Sequence, residues 1–178
     1  MERASDTKHE FFAGAVFAMA GASRAHNLLA TSTTALLWNA LRGGPCEVYN
    51  SDQKVRILST DQYVYPDVSV ACDPRFEDDA RDVLLNPSVI VEVLSDSAEA
   101  YDRGKKFEGY QTLESLRDYV MIAQHSVRIV HYAREPDGSL RMRVHGPGTA
   151  VALTACDAHL ALDALYERVF PPVPRSGE

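Results

Sequence analysis

One run of six residues, Val89-Ile90-Val91-Glu92-Val93-Leu94, constrains this chain more than any other feature. Four of its residues are β-branched and a fifth is leucine, a pattern that suits a central strand covered on both faces. A layered sheet protein follows. Glu92 interrupts the run. An unpaired carboxylate in apolar surroundings costs several kcal/mol or shifts toward its neutral form, so Glu92 must meet a cation, a hydrogen-bond donor or a metal. That requirement leaves two readings open: the pivot of a functional site, or an ordinary ion pair at a strand end.

The rest of the chain supplies the layers. An apolar stretch over 15–20 predicts a short strand ending at Gly21, and Ser23 predicts the N-cap of a helix over about 24–42, stopped by Gly43, Gly44 and Pro45. Residues 47–58 alternate around a Ser51-Asp52 turn, and 63–72 reads as one strand with Pro66 near its start. Acidic residues crowd 73–82, a solvated loop or short helix. Ser95 or Ser97 predicts the cap of a helix over 98–112, then strands over 119–122 and 127–133, and a return strand over 140–145 after Pro136-Asp137-Gly138. A helix over 163–170 closes the fold before a Pro-rich tail. The 178 residues suit one domain over 1–170 with a tail at 171–178, and the order of elements predicts a mixed-sheet α/β or α+β class.

Charge narrows the function. With 18 basic against 25 acidic residues the formal net charge is −7, which argues against non-specific coating of nucleic acid and leaves only local basic patches. Arg128, Arg134, Arg141 and Arg143 form one such stripe, suited to guiding phosphates or to blunting an exposed sheet edge. No stretch approaches the roughly 18 apolar residues of a membrane helix, and the first ten residues lack an apolar signal core, so no membrane partner and a cytoplasmic location are expected. Cys46, Cys72 and Cys156 are widely spaced and odd in number, and each is expected as a small buried hydrophobe outside any disulfide framework.

Asp67 gives Glu92 a partner. A period of two puts Val68, Val70 and Cys72 on one face and Asp67, Ser69 and Ala71 on the other, so two strands could bring both acids to one point. Paired carboxylates with open water positions suit Mg²⁺ or Mn²⁺, although Asp after Pro also simply starts strands and turns. Lys106, on the helix after Glu92, could reach back to the carboxylates and face a phosphate, or could pair with Asp102 on the surface. His26 beside Asn27 is expected mainly as a packed or hydrogen-bonded structural residue. Asp52, Lys54 and Arg56 either line the same cleft or decorate a solvated hairpin. Walker, dinucleotide and nucleophile-elbow patterns do not occur.

Taken together these residues resemble the Uma-two family of bacterial restriction-endonuclease-like proteins, within the PD-(D/E)xK nuclease superfamily. The resemblance spans about 9–120 and rests on Glu10 ahead of Gly14, Met19-Ala20-Gly21-Ala22-Ser23 with His26-Asn27, Ser51-Asp52 with Val55-Arg56, and Tyr65-Pro66-Asp67-Val68-Ser69. Val91-Glu92-Val93-Leu94-Ser95 and Asp102-Arg103-Gly104 with Lys106 and Tyr110 complete it. It implies a restriction-endonuclease-like mixed sheet flanked by helices and a metal-dependent phosphodiesterase acting on DNA. Asp67, Glu92 and the Val93 carbonyl are the implied ligands of Mg²⁺ or Mn²⁺, Lys106 the charge-stabilising lysine, and Glu10 an acid for a second metal or its water. Leu94 stands where the superfamily lysine usually stands, so Lys106 would be a migrated substitute. Ala13-Gly14-Ala15 lacks two acids that relatives often carry, and Asp96 adds an anion near the phosphate site. A homodimer is expected because cutting a duplex needs two sites. The alternative is a nuclease-fold module that binds nucleic acid or protein without chemistry.

Overall fold

The computed structural model describes residues 9–12, 15–18, 23–94, 104 and 106–170, with side chains from residue 23 onward. Strand β8 (Val89–Leu94) lies at the centre, and all six of its residues are buried. In chain order the preceding strands are β1 (His9–Phe12), β2 (Ala15–Ala18), β3 (Cys46–Asn50), β4 (Lys54–Ile57), β5 (Gln62–Val64), β6 (Val68–Cys72) and β7 (Val83–Leu84). After β8 come β9 (Asp118–Ala123), β10 (Ile129–Arg134), β11 (Leu140–His145), β12 (Ala150–Ala152) and β13 (His159–Ala161). The helices are α1 (Arg24–Leu41), α2 (Phe107–Gln111) and α3 (Leu162–Tyr166).

Six strands form a mixed sheet in the order β11-β10-β9-β8-β6-β3, in which β8 and β9 run parallel and the other neighbours antiparallel. On one face Val89, Val91 and Val93 join Val68, Val70, Val120 and Ile122 beneath Leu29, Leu37 and Leu41 of α1. On the other, Ile90, Leu94, Tyr119 and Met121 meet Val55, Ile57, Val64 and Leu84 of a second sheet, ordered β2-β1-β5-β4-β7. Burying each such aliphatic side chain stabilises the fold by roughly 1.5–3 kcal/mol. A mixed α+β, restriction-endonuclease-like sheet with helices packed on it is the fold class the sequence implied.

Helix α1 begins where expected, because the Ser23 hydroxyl accepts the His26 N–H at 3.1 Å. Its buried residues Leu29, Thr33, Leu37 and Leu41 recur every four positions and make one face. Thr33 is tolerated there because its hydroxyl donates back to the Leu29 carbonyl at 2.7 Å. Gly43, with φ at +87°, adopts the left-handed turn that ends it.

Several expectations change. Strands β3 and β4 flank the Ser51-Asp52 turn but do not pair: β3 joins β6 in the large sheet, and β4 joins β5 and β7 in the small one. The strand expected over 63–72 is two strands, split at Tyr65-Pro66-Asp67, where the chain crosses between sheets. Proline explains the break, since it has no N–H to continue either ladder. Cys46 and Cys72, expected as separate hydrophobes, face each other across β3 and β6 and form a disulfide. Closing a loop with a sequence separation of 26 residues stabilises by about 3–4 kcal/mol on the chain-entropy account. The closing helix is shorter than expected. The caps Ser95 and Ser97, Asp96, Asp102, Lys105 and the tail over 171–178 lie outside the described residues.

Candidate active site

Two strand ends build the site. Strands β6 and β8 are antiparallel with Val68 opposite Val91, so one step further along the ladder sets Asp67 opposite Glu92. Asp67 Oδ2 accepts the Val93 N–H at 2.7 Å. Its Oδ1 lies 2.9 Å from His26 Nε2. The imidazole reaches it from the first turn of α1, which Ser23 holds twice, as helix cap and by donating to Gln124 Oε1 at 2.6 Å. Asp67 is therefore oriented from both sides before any ligand arrives.

Glu92, 3% exposed, finds its compensation in Lys106. The ammonium sits 2.9 Å from Glu92 Oε1, and both side chains are buried to 5% exposure or less. Tyr110 donates its hydroxyl to the same oxygen at 2.9 Å. Lys106 and Tyr110 are four residues apart, hence on one side of a helical turn. Gly109 lets α2 press against the small sheet: a Cβ there would stand 2.8 Å from Gln62 Oε1 and 3.1 Å from Ile57 Cδ1. Phe107 stacks on Tyr119 with ring centroids 4.9 Å apart, which anchors the same turn to β9.

Asp67, Glu92, Val93 and Lys106 are thus brought together. Glu10 lies in β1, where its neighbour Phe11 pairs with Tyr63 of β5, the strand that leads into Asp67; the Glu10 side chain lies outside the described residues. The basic stripe is not one patch. Arg134 donates to the carbonyls of Leu116 and Gln111, Arg141 pairs with Glu135, and Arg143 is exposed. Arg56 pairs with Asp61 and Glu77. The sequence did not reveal Tyr110 as a donor to Glu92; His26, expected as a packed or hydrogen-bonded residue, is hydrogen-bonded, and the sequence did not name Asp67 as its partner. For Tyr110 the signal was its spacing from Lys106; for His26 no local signal exists, because its partner is 41 residues away.

Among the described residues no group of three or more His, Cys, Asp or Glu is set to hold a metal. Two hard carboxylates and a backbone carbonyl on adjacent strand ends still fit a Mg²⁺-like ion, which takes one or two carboxylates and keeps several waters. The chemistry open to such a set is polar displacement at phosphorus or carbon, with Lys106 as the fixed cation.

The fold is that of a restriction-endonuclease-like protein. Residues 1–163 match the Uma2 family, described as "Putative restriction endonuclease". The chain belongs to the Uma2 family. It is 39% identical over 159 residues to the uncharacterized protein slr1290 of Synechocystis, covering 89% of this chain and 83% of that one. It is 37% identical over 137 residues to the uncharacterized protein sll1609 of the same organism, covering 76% and 77%. A crystal structure of "a putative nuclease belonging to DUF820" from Anabaena variabilis is similar in fold, with a TM-score of 0.75 over 93% of each chain at 13% identity.

Proposed function

We propose that this protein is a Mg²⁺- or Mn²⁺-dependent endonuclease that hydrolyses DNA phosphodiester bonds. The observation that carries the reading is the buried Glu92–Lys106 pair set beside Asp67 at the junction of β6 and β8. A buried ion pair is seldom a gain over apolar packing, so its presence at a strand end next to a second oriented acid favours a functional role. Asp67, Glu92 and the Val93 carbonyl would hold the ion. When bound, the ion polarises a water and the scissile phosphate.

The chain's own groups do the rest. His26 and the Val93 N–H hold the Asp67 carboxylate in place, Tyr110 holds Glu92, and Lys106 presents a positive charge where negative charge grows on the phosphate. Glu10 is the acid we assign to a second ion or its water, the DNA duplex is the assigned substrate, and a cytoplasmic homodimer is the assigned working form. A second reading, a binding module without chemistry, draws on the same pair, because a lysine neutralising Glu92 also serves a purely structural end.

Plasmid, single-stranded DNA and RNA cleavage in Mn²⁺ and in EDTA separates the two. Cleavage that needs the metal, falls on the order of a hundredfold in Lys106→Ala and vanishes in Asp67→Asn supports the enzyme. Calorimetry should show Mn²⁺ binding weakened in Glu92→Gln. No metal-dependent cleavage of any of the three by the wild type leaves the module.

A further inference from the structure

Strands β4 and β5 carry a cross-strand set of cations on aromatic rings, facing away from the buried side chains of Val55, Ile57 and Val64. Arg56 is registered with Tyr63, and the next pairs in the ladder set Lys54 beside Tyr65. The Arg56 guanidinium lies 5.1 Å from the Tyr63 ring centroid, and the Lys54 ammonium lies 6.0 Å from the Tyr63 centroid and 5.8 Å from that of Tyr65. The two cations are treated differently. Arg56 is matched by Asp61 and Glu77, whereas Lys54 has no carboxylate at ion-pair distance among the described residues. In a chain of net charge −7, a cation without a carboxylate partner among the described residues is conspicuous.

Its place matters more than its charge. Tyr65 is followed directly by Pro66 and Asp67, and two extended residues span roughly 7 Å, so the Lys54–Tyr65 contact stands at the edge of the acid pair. Tyr63 already carries both cations and Tyr65 is only 6% exposed, which leaves no open ring on which a base could stack. An ammonium held near two aromatic rings, on a half-buried lysine, is a point charge suited to a phosphate oxygen.

We propose that Lys54 is a substrate-positioning residue that binds a backbone phosphate of the nucleic-acid strand lying across Asp67 and Glu92. This rests on the nuclease reading for its substrate class, but it concerns binding and is read without chemistry. The contact is to the backbone, so it carries no sequence preference.

The test is equilibrium binding of the full chain to fluorescent DNA in EDTA across a salt series, with Lys54→Gln, Lys54→Arg and Arg143→Gln alongside the wild type. Losing one phosphate contact should lower the slope of log affinity against log salt by about 0.9 on duplex and about 0.7 on single strands. The expected result is that loss in Lys54→Gln, equal on two unrelated sequences, its recovery in Lys54→Arg, and a wild-type slope in Arg143→Gln. Matched thermal melts establish that the variants fold. A wild-type slope in Lys54→Gln, a loss confined to one sequence, or a loss found in Arg143→Gln instead would overturn the inference. Cleavage in Mn²⁺ is measured separately. A wild type that never cleaves, with the slope still dependent on Lys54, sinks the nuclease reading and leaves this contact; a wild type that cleaves, with the slope unmoved, does the reverse.

Discussion

At the residue scale the protein turns on one buried ion pair. Removing either partner of the Glu92–Lys106 contact strands the other charge at 5% exposure or less, so Glu92→Gln and Lys106→Met should each cost about 3–5 kcal/mol. The double variant should cost much less than the sum, because both desolvation penalties disappear together. Urea denaturation of the four proteins checks this, and additive losses would mean that the charges are not coupled. A second residue offers a pH signature. Burial, then the nearby His131 and Arg143, hold the His145 imidazole below the ordinary histidine range. The folded state therefore binds its proton less readily than the unfolded chain, and stability present above about pH 6.5 is lost as the pH falls below it. Thermal melts at pH 8 and pH 5.5 should show a larger loss for the wild type than for His145→Gln; equal losses would exclude His145 as the source.

At the scale of elements, the short helix α2 matters because it sets the register of Lys106 and Tyr110. Gly109 is its contact with the small sheet, and the neighbours of an added Cβ are the buried Gln62 and Ile57 side chains. Gly109→Ala should overpack this contact at a cost of about 1–3 kcal/mol. The displaced turn should carry Lys106 and Tyr110 away from Glu92, so the variant should lose cleavage out of proportion to its loss of fold. Activity per folded molecule, from circular dichroism and cleavage on one preparation, tests it; unchanged specific activity would mean that the sheet yields instead of the helix. Strand β8 and helix α1 were legible in the sequence because their patterns are local: an apolar run in one, a capping serine and a four-residue repeat in the other. The split of 63–72 was not, since Pro66 tells where a ladder stops but not which sheet receives each half.

At the scale of the whole molecule, acidity limits how the chain would meet DNA under the nuclease reading. A net charge of −7 weakens non-specific attraction to DNA, and Arg56, Arg134 and Arg141 are engaged within the protein, so the salt dependence of duplex binding should be shallow. We expect a slope equivalent to about two to four phosphates, at about 0.9 each. A slope equivalent to eight or more would place a large basic surface in the complex and contradict the charge distribution described above. Within such a small total, the share assigned to Lys54 is measurable.

By itself the sequence determined that a covered central strand would carry a compensated acid, that a Ser23-capped helix would pack on it, and that Asp67 could share its site, because periodicity and desolvation act over a few residues. Only the tertiary structure decided the partners. Tyr110 at Glu92, His26 at Asp67, Cys46 at Cys72, and the assignment of β3 and β4 to different sheets all depend on how helices and sheets pack, and so does the choice between the two readings of Lys106. Sheet order is set by the packing of whole faces against one another, and that competition leaves no mark on any short stretch of chain.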